Sequence, residues 1–356
     1  MIRKICGALF MLVVLGCSSG VPLAAQNCTS GTYSIDRINF LLLNNNVDYK
    51  GCVYVGGSSI PGDYDVGCWK SSCPTLEWCP TCGKWIASSG APINLTNGNT
   101  YIQEKDVKVP GLGGGLMLER TWNSVVPGGL SAFQVGMFGP NWRSTYEERV
   151  FVGSGGYANN MLYLRADGGL WVFSSNGSTW SLAAPANVVA TLTQNGTQTW
   201  TIAFQNGEQR VFSYTSGSLT SIIDRNGNTT QLTYDGSNRL TTITDPVSRT
   251  LSFTYGSSYS NFLVTGVSTS VGISLSYSYD SQGRLIQVTE PDQTTISFTY
   301  NSNSLITAVT DSQGIILESH TYDSQYRGLT SSRANGVQSV TVTYPPCTVC
   351  GPWVMF

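Results

Sequence analysis

His320 is the one imidazole in a chain of 356 residues, and it sits in Glu318-Ser-His-Thr-Tyr322 with no serine or cysteine nucleophile motif around it. A nucleophile activated by an imidazole base would have to be built on that residue. A lone histidine reads as a structural or surface group, and metal catalysis would be short of imidazole ligands. Carboxylates offer a different chemistry. Asp63/Asp65 and Glu147/Glu148 are candidate pairs, and glycoside hydrolysis needs two such groups about 5 to 9 Å apart, a distance that sequence spacing does not set. No set of acid, base and nucleophile converges in the sequence, so the expectation is a chain with no catalytic residue and no cofactor.

Cysteine is the other residue type capable of chemistry. The N-terminus has the layout of an export signal: Arg3-Lys4, an apolar run from Ile5 to Gly16, then small residues to Ala25. The run is too short for a comfortable membrane span. An alternative reading takes Val14-Leu-Gly-Cys17 as a lipobox, which would make Cys17 a lipid anchor. Beyond residue 25 stand Cys28, Cys52, Cys68, Cys73, Cys79, Cys82, Cys347 and Cys350. In an exported chain an even, clustered set reads as disulfides that staple a module too small for a good core, and spacing leaves their pairing open. The sharper alternative is zinc on Cys79, Cys82, Cys347 and Cys350, two CxxC pairs each followed by glycine. An oxidising compartment favours disulfides over that site. A redox role is weaker, since neither pair is followed by a helical pattern that would lower a thiol pKa.

Composition narrows the partners. Charged residues are 11% of the chain and apolar residues 41%, with net charge −2 and pI near 5.4. That is enough apolar material for a core and no basic footprint for nucleic acid.

The elements that would position any site are announced by a repeat. Tyr234, Tyr255, Tyr279, Tyr300, Tyr322 and Tyr344 recur at intervals of 21, 24, 21, 22 and 22 residues. Each closes a run such as Ile273-Ser-Leu-Ser-Tyr-Ser-Tyr279 or Leu251-Ser-Phe-Thr-Tyr255, where apolar and small polar residues alternate as on a half-buried strand. A turn of Asp, Gly, Asn and Ser follows, then Arg-Leu and a second short strand. One repeat is therefore about one hairpin, stacked on its neighbours. Asp235/Arg239, Asp280/Gly283/Arg284 and Asp323/Arg327 are read as bracing those turns, because a motif copied along a chain serves stacking more often than one active site.

This unit resembles the YD repeat of the Rhs (rearrangement hotspot) family, best at Tyr279-Asp280-Ser-Gln-Gly283-Arg284-Leu285. At Tyr234 to Leu240 an asparagine, Asn238, replaces the glycine, and at Tyr300 the aspartate becomes Asn301. Upstream, Ala91 to Asn99, Arg120-Thr-Trp122-Asn-Ser and Gly139-Pro-Asn-Trp142-Arg143 resemble the domain of unknown function that precedes the repeats in that family. The resemblance implies a spiralling β-sheet that in longer relatives wraps into a shell. The resemblance would place a self-cleaving Asp-Pro segment and a toxin after the repeats, and the expectation from the residues given is that both are absent, Asp245-Pro246 reading as a strand end inside the repeats.

Between the two regions, Asn176-Gly177, Asn195-Gly196 and Asn206-Gly207 mark hairpins. Gly111-Leu-Gly-Gly-Gly115 lacks the Lys-Ser/Thr and the helix of a phosphate loop, and reads as a turn. Trp122, Trp142 and Tyr146 are expected in a core.

The expected fold is all-β: a curved, open antiparallel sheet of YD-repeat hairpins preceded by a small Cys-rich module. Its parts are a signal (1–25), the Cys-rich module (26–90), an Rhs N-terminal-type β domain (91–150), a hairpin region (151–223), the repeats (224–344) and a CxxC tail (345–356). The expected function is an exported, non-catalytic scaffold at the cell surface. It would bind a protein, a glycan or the remainder of an Rhs shell, or self-associate through open sheet edges. Two alternatives are a secreted carbohydrate-active enzyme and part of a delivery shell whose toxin lies on another chain.

Overall fold

A computed structural model describes residues 97–126, 135–154, 157–176, 179–185, 188–256, 262–333, 336 and 338–344, with short strands at 63–65, 88–89 and 93–94. The signal-like N-terminus, Cys17 and the eight later cysteines lie outside the described residues.

The structure is built of strands. Among the described residues there is no α-helix, and the 3₁₀ turn Leu112–Gly114 lies inside the glycine-rich loop that joins two strands. From Arg149–Val152 to Gln338–Thr343, nineteen strands follow one another in a single sheet, each antiparallel to the next. The residues chosen explain the elements. In Ser274–Tyr279 the serines at 274, 276 and 278 are exposed while Leu275 and Tyr277 are buried, the two-residue period of a strand with one wet face. A meander this long has to curve, because neighbouring strands twist against each other by about 20°.

Curvature closes the first coil. The outer edge of Arg149–Val152 meets the start of the eighth strand, Leu219–Ile223: Val150 N donates to Gly217 O at 2.9 Å and Arg149 bridges Ser218. Edge-to-face rings fill it, with Tyr163 against both Trp171 and Phe212. The hairpin region and the repeats are thus one continuous sheet, with no break near residue 224.

The remaining strands curl around the N-terminal β domain. That domain pairs Tyr101–Val109 with Leu116–Asn123 and adds Trp142–Ser144. Its Trp122, Phe138 and Trp142 are fully buried and touch repeat residues: Phe138 lies 4.9 Å from Tyr277, Trp142 5.2 Å from Phe298, and Trp122 6.4 Å from Tyr322 between ring centres. Removing such a ring from water stabilises by roughly 4–6 kcal/mol as an upper bound. The concave face of the sheet is therefore occupied by the chain's own N-terminal domain, which the strand pattern alone did not indicate.

Backbone contacts fix that docking. Val264 N donates to Met137 O at 2.8 Å and Gly328 N to Gly98 O at 2.8 Å. Gly139 approaches so closely that a Cβ there would stand 2.6 Å from Gly283 O, and its φ of 100° also favours glycine. At the far end of the sheet, Asp63–Asp65 runs parallel along Gln338–Thr343.

Candidate functional site

The Tyr-Asp-Arg residues form one interlocked row. Each repeat tyrosine sends its hydroxyl back to the carbonyl that opens the preceding repeat's second strand. Tyr234 donates to Leu219 O, Tyr255 to Leu240 O, Tyr279 to Val264 O, Tyr300 to Leu285 O, Tyr322 to Ile306 O and Tyr344 to Gly328 O, all at 2.6–2.8 Å. Burial pushes every one of these phenols above its ordinary pKa, so the hydroxyls stay protonated donors.

The charged residues lock the turns. Asp280 accepts from the backbone N–H groups of Gln282 and Arg284 and holds the Arg284 guanidinium. Asp235 with Arg239, and Asp323 with Arg327, do the same. Each arginine then lies over the next repeat's tyrosine: Arg239 over Tyr255 at 5.0 Å, Arg284 over Tyr300 at 5.0 Å and Arg327 over Tyr344 at 4.1 Å. Hydroxyl, carboxylate and guanidinium all meet groups of the chain itself, and the arrangement can join repeats but offers no reacting centre.

The fourth residue of each turn adopts a left-handed backbone. Gly283 (φ 72°) suits it, whereas Asn238 (58°), Ser304 (60°) and Tyr326 (67°) occupy the same place with a side chain. That explains the glycine of the motif in physical terms.

A buried polar cluster sits where the N-terminal domain meets the repeats. A β-bulge between Lys105 and Val107 leaves Asp106 unpaired in the ladder and turns it inward. It accepts from Arg120 Nη2 at 2.8 Å and from the Tyr277 hydroxyl at 2.6 Å. Burial works against the charge on Arg120, and Asp106 more than offsets it, so its pKa is raised. The Arg120 guanidinium also lies 4.8 Å from the Trp142 ring. Next to it, burial pushes the Glu104 carboxyl up to about 7; Arg120 opposes this, while Asp106, Glu318 and Glu290 add to it. The bulge carries no sequence signature, which is why the pairing of Asp106 with Arg120 escaped sequence reasoning.

His320 has company. Its Nδ1 is 3.2 Å from Ser331 Oγ and its Nε2 3.5 Å from Glu318 Oε2, a triad-like set. Ser331 is directly opposite His320 on the neighbouring strand, and both are buried. Glu147 and Glu148 turn to different partners, Glu147 accepting from Met137 N and Glu148 from the Tyr163 hydroxyl. Trp122, Trp142 and Tyr146 fill the core. The glycine-rich loop packs Gly113 against Pro246, in the turn after the strand Leu240–Thr244. Among the described residues no three or more His, Cys, Asp or Glu side chains are placed so that they could hold one metal ion.

A coiled antiparallel meander whose hairpins are joined by tyrosine hydroxyls and braced by Asp–Arg turns defines a β-repeat protein wrapped on its own N-terminal domain. The chain is an Rhs/YD-repeat protein: the family described as RHS Repeat matches residues 207–255, 263–295 and 279–316, and the domain of unknown function DUF6531 matches residues 90–173. Among curated proteins it is 27% identical over 149 residues to the tRNA nuclease WapA of Bacillus subtilis (strain 168) and to the tRNA3(Ser)-specific nuclease WapA of Bacillus spizizenii. Those matches cover 42% of this chain and 6% of each relative's length. Among solved structures, the crystal structure of TcdB2-TccC3-Cdc42 is 13% identical with a TM-score of 0.28, covering 54% of this chain and 12% of that one. The Photorhabdus luminescens Tc holotoxin pore carrying TccC3-D651A is 12% identical with a TM-score of 0.26, covering 62% and 14%.

Proposed function

We propose that this protein is an exported, non-catalytic Rhs-type scaffold whose last strand receives further β-strands, from the rest of an Rhs shell or from a protein partner. One observation carries the reading. Among the described residues the sheet ends on Gln338-Ser-Val-Thr-Val-Thr343, a strand with no charge and no proline, and three described residues, Asp63–Asp65, lie along Thr341–Thr343. An edge without those guards is a template for strand addition. The curated relatives, of which this chain spans 6%, support a longer assembly as the setting. Delivery of a toxin carried on a partner chain fits the same edge.

The test is residue-resolved amide exchange on Gln338–Thr343 with and without a hairpin peptide copying residues 274–289. Slower exchange at those amides with peptide supports the reading. Unchanged exchange at saturating peptide contradicts it.

The alternative of a carbohydrate-active enzyme finds one supporting observation, a cleft where Glu119, Glu148, Asp167 and Glu208 gather near Trp171. All four carboxylates are taken up in ion pairs, Glu119 with Lys105, Glu148 and Glu208 with Arg210, and Asp167 with Arg165. A glycosidase needs two of them free to meet the glycosidic oxygen and a water or the sugar itself. The scaffold reading therefore stands ahead.

A further inference from the structure

Arg143 is a buried cation that neither the repeat lock nor the open sheet edge uses. It is 7% exposed, and its side chain donates from Nη1 to the carbonyl of its neighbour Trp142 at 3.3 Å. Among the described residues no carboxylate pairs with it, and its Nε and Nη2 have no hydrogen-bond partner; unlike Arg120 Nη1, these two atoms are not sealed from solvent. Burial lowers its pKa, Glu147 opposing and Arg149 adding to that effect, and a guanidinium stays ionised all the same.

Nε and Nη2 form the side of a guanidinium that grips a carboxylate through two parallel bonds. The rest of this chain uses that edge so. Arg120 turns it to Asp106, and Arg239 and Arg327 turn it to Asp235 and Asp323. In Arg143 the same edge meets no acid of the chain among the described residues.

Arg143 lines a cleft of about 240 Å³, enough for a small molecule. Three parts of the fold meet there: Met137 and Arg143 from the N-terminal domain, Leu164 from the first coil, and Tyr234, Leu240 and Tyr255 from the repeats. Met137, Leu164 and Leu240 are buried, so the wall beside the cation is apolar. Val135 and Phe262, 59% and 56% exposed, carry that apolar surface out to the mouth.

The charges around the cleft do not cancel. Three arginines, Arg143, Arg149 and Arg239, stand against two glutamates, Glu147 and Glu148. Glu148 is held by Tyr163 and Arg210. Glu147 accepts from Met137 N, and burial raises its pKa, which favours the uncharged acid. An anion would therefore meet Arg143 with little opposing charge beside it.

We infer that this cleft binds a small organic monocarboxylate, its two oxygens on the Nε and Nη2 edge of Arg143 and its apolar group among Leu164, Leu240 and the Tyr234 and Tyr255 rings. Free branched acids and the C-terminal leucine or valine of a peptide share this chemistry. The site uses no residue of the terminal strand, so it stands or falls apart from strand addition.

The experiment follows the arginine Nε–H resonances of the nitrogen-labelled full chain during titration with isovalerate, N-acetyl-leucine, isovaleramide and acetate. The resonance that is missing from Arg143→Lys should move with isovalerate and stay still with isovaleramide. A response to N-acetyl-leucine as well extends the class to chain ends, and its absence confines the class to free acids. Calorimetry should show isovalerate bound at least about tenfold more weakly by Arg143→Lys, which keeps the charge and loses the fork. Val135→Asp, at an exposed position, puts a like charge at the mouth and should weaken binding roughly threefold, which keeps the test open if Arg143→Lys does not fold. No arginine resonance moving with isovalerate, isovaleramide or acetate binding as well as isovalerate, or affinity unchanged in the folded variants would overturn the site.

Discussion

Tyr279 shows how much one side chain does here. Its hydroxyl reaches Val264 O on the neighbouring strand at 2.6 Å, and its ring is packed against the core. Tyr279→Phe keeps the ring and strands a carbonyl, so the variant should lose about 1–2 kcal/mol in urea unfolding. A neutral result would remove the lock from the account. Glu104 tests the interface between domains. Its folded pKa of about 7 lies above the ordinary carboxylate range. Its stabilising contribution is therefore present in full below about pH 4.5 and is lost as pH rises through 7. The chain should melt at lower temperature at pH 8 than at pH 5, and Glu104→Gln should flatten that difference. An unchanged pH slope in the variant would show that the carboxyl does not face the repeats as described.

Hairpins and turns were the most legible elements, because a motif copied at a fixed interval betrays both its strands and its turn. Asn195-Gly196 and Asn206-Gly207 each join consecutive strands, as their dipeptides imply. The turn position after Tyr322 makes a sharper point: Tyr326 sits at φ 67° where the motif prefers glycine. Tyr326→Gly should raise stability by about 1 kcal/mol, read as a higher midpoint in thermal melts, because a side chain in that conformation is strained. What could not be read was long-range. The bulge that turns Asp106 inward, the closure of Arg149 onto Ser218 and the pairing of His320 with Ser331 depend on register between distant or facing strands. Glycine approach is equally silent in sequence. Gly139→Ala should destabilise by more than about 1 kcal/mol because its Cβ would collide with Gly283 O, while Gly196→Ala, in open space, should show only the smaller backbone cost.

At the scale of the molecule, sheet and N-terminal domain share one core. Ile102, Trp122 and Trp142 belong to the same apolar cluster as Leu232, Leu285 and Val309. Among the described residues the concave surface of the sheet is filled by the chain's own N-terminal domain. The most direct test of this arrangement is a double-mutant cycle between Trp142, in the N-terminal domain, and Phe298, in the repeats, whose rings meet edge to face. The single variants Trp142→Phe and Phe298→Leu and their combination should reveal a coupling of about 0.5–1.5 kcal/mol in urea unfolding. Strictly additive losses would mean that the two rings do not touch and that the N-terminal domain does not fill the sheet.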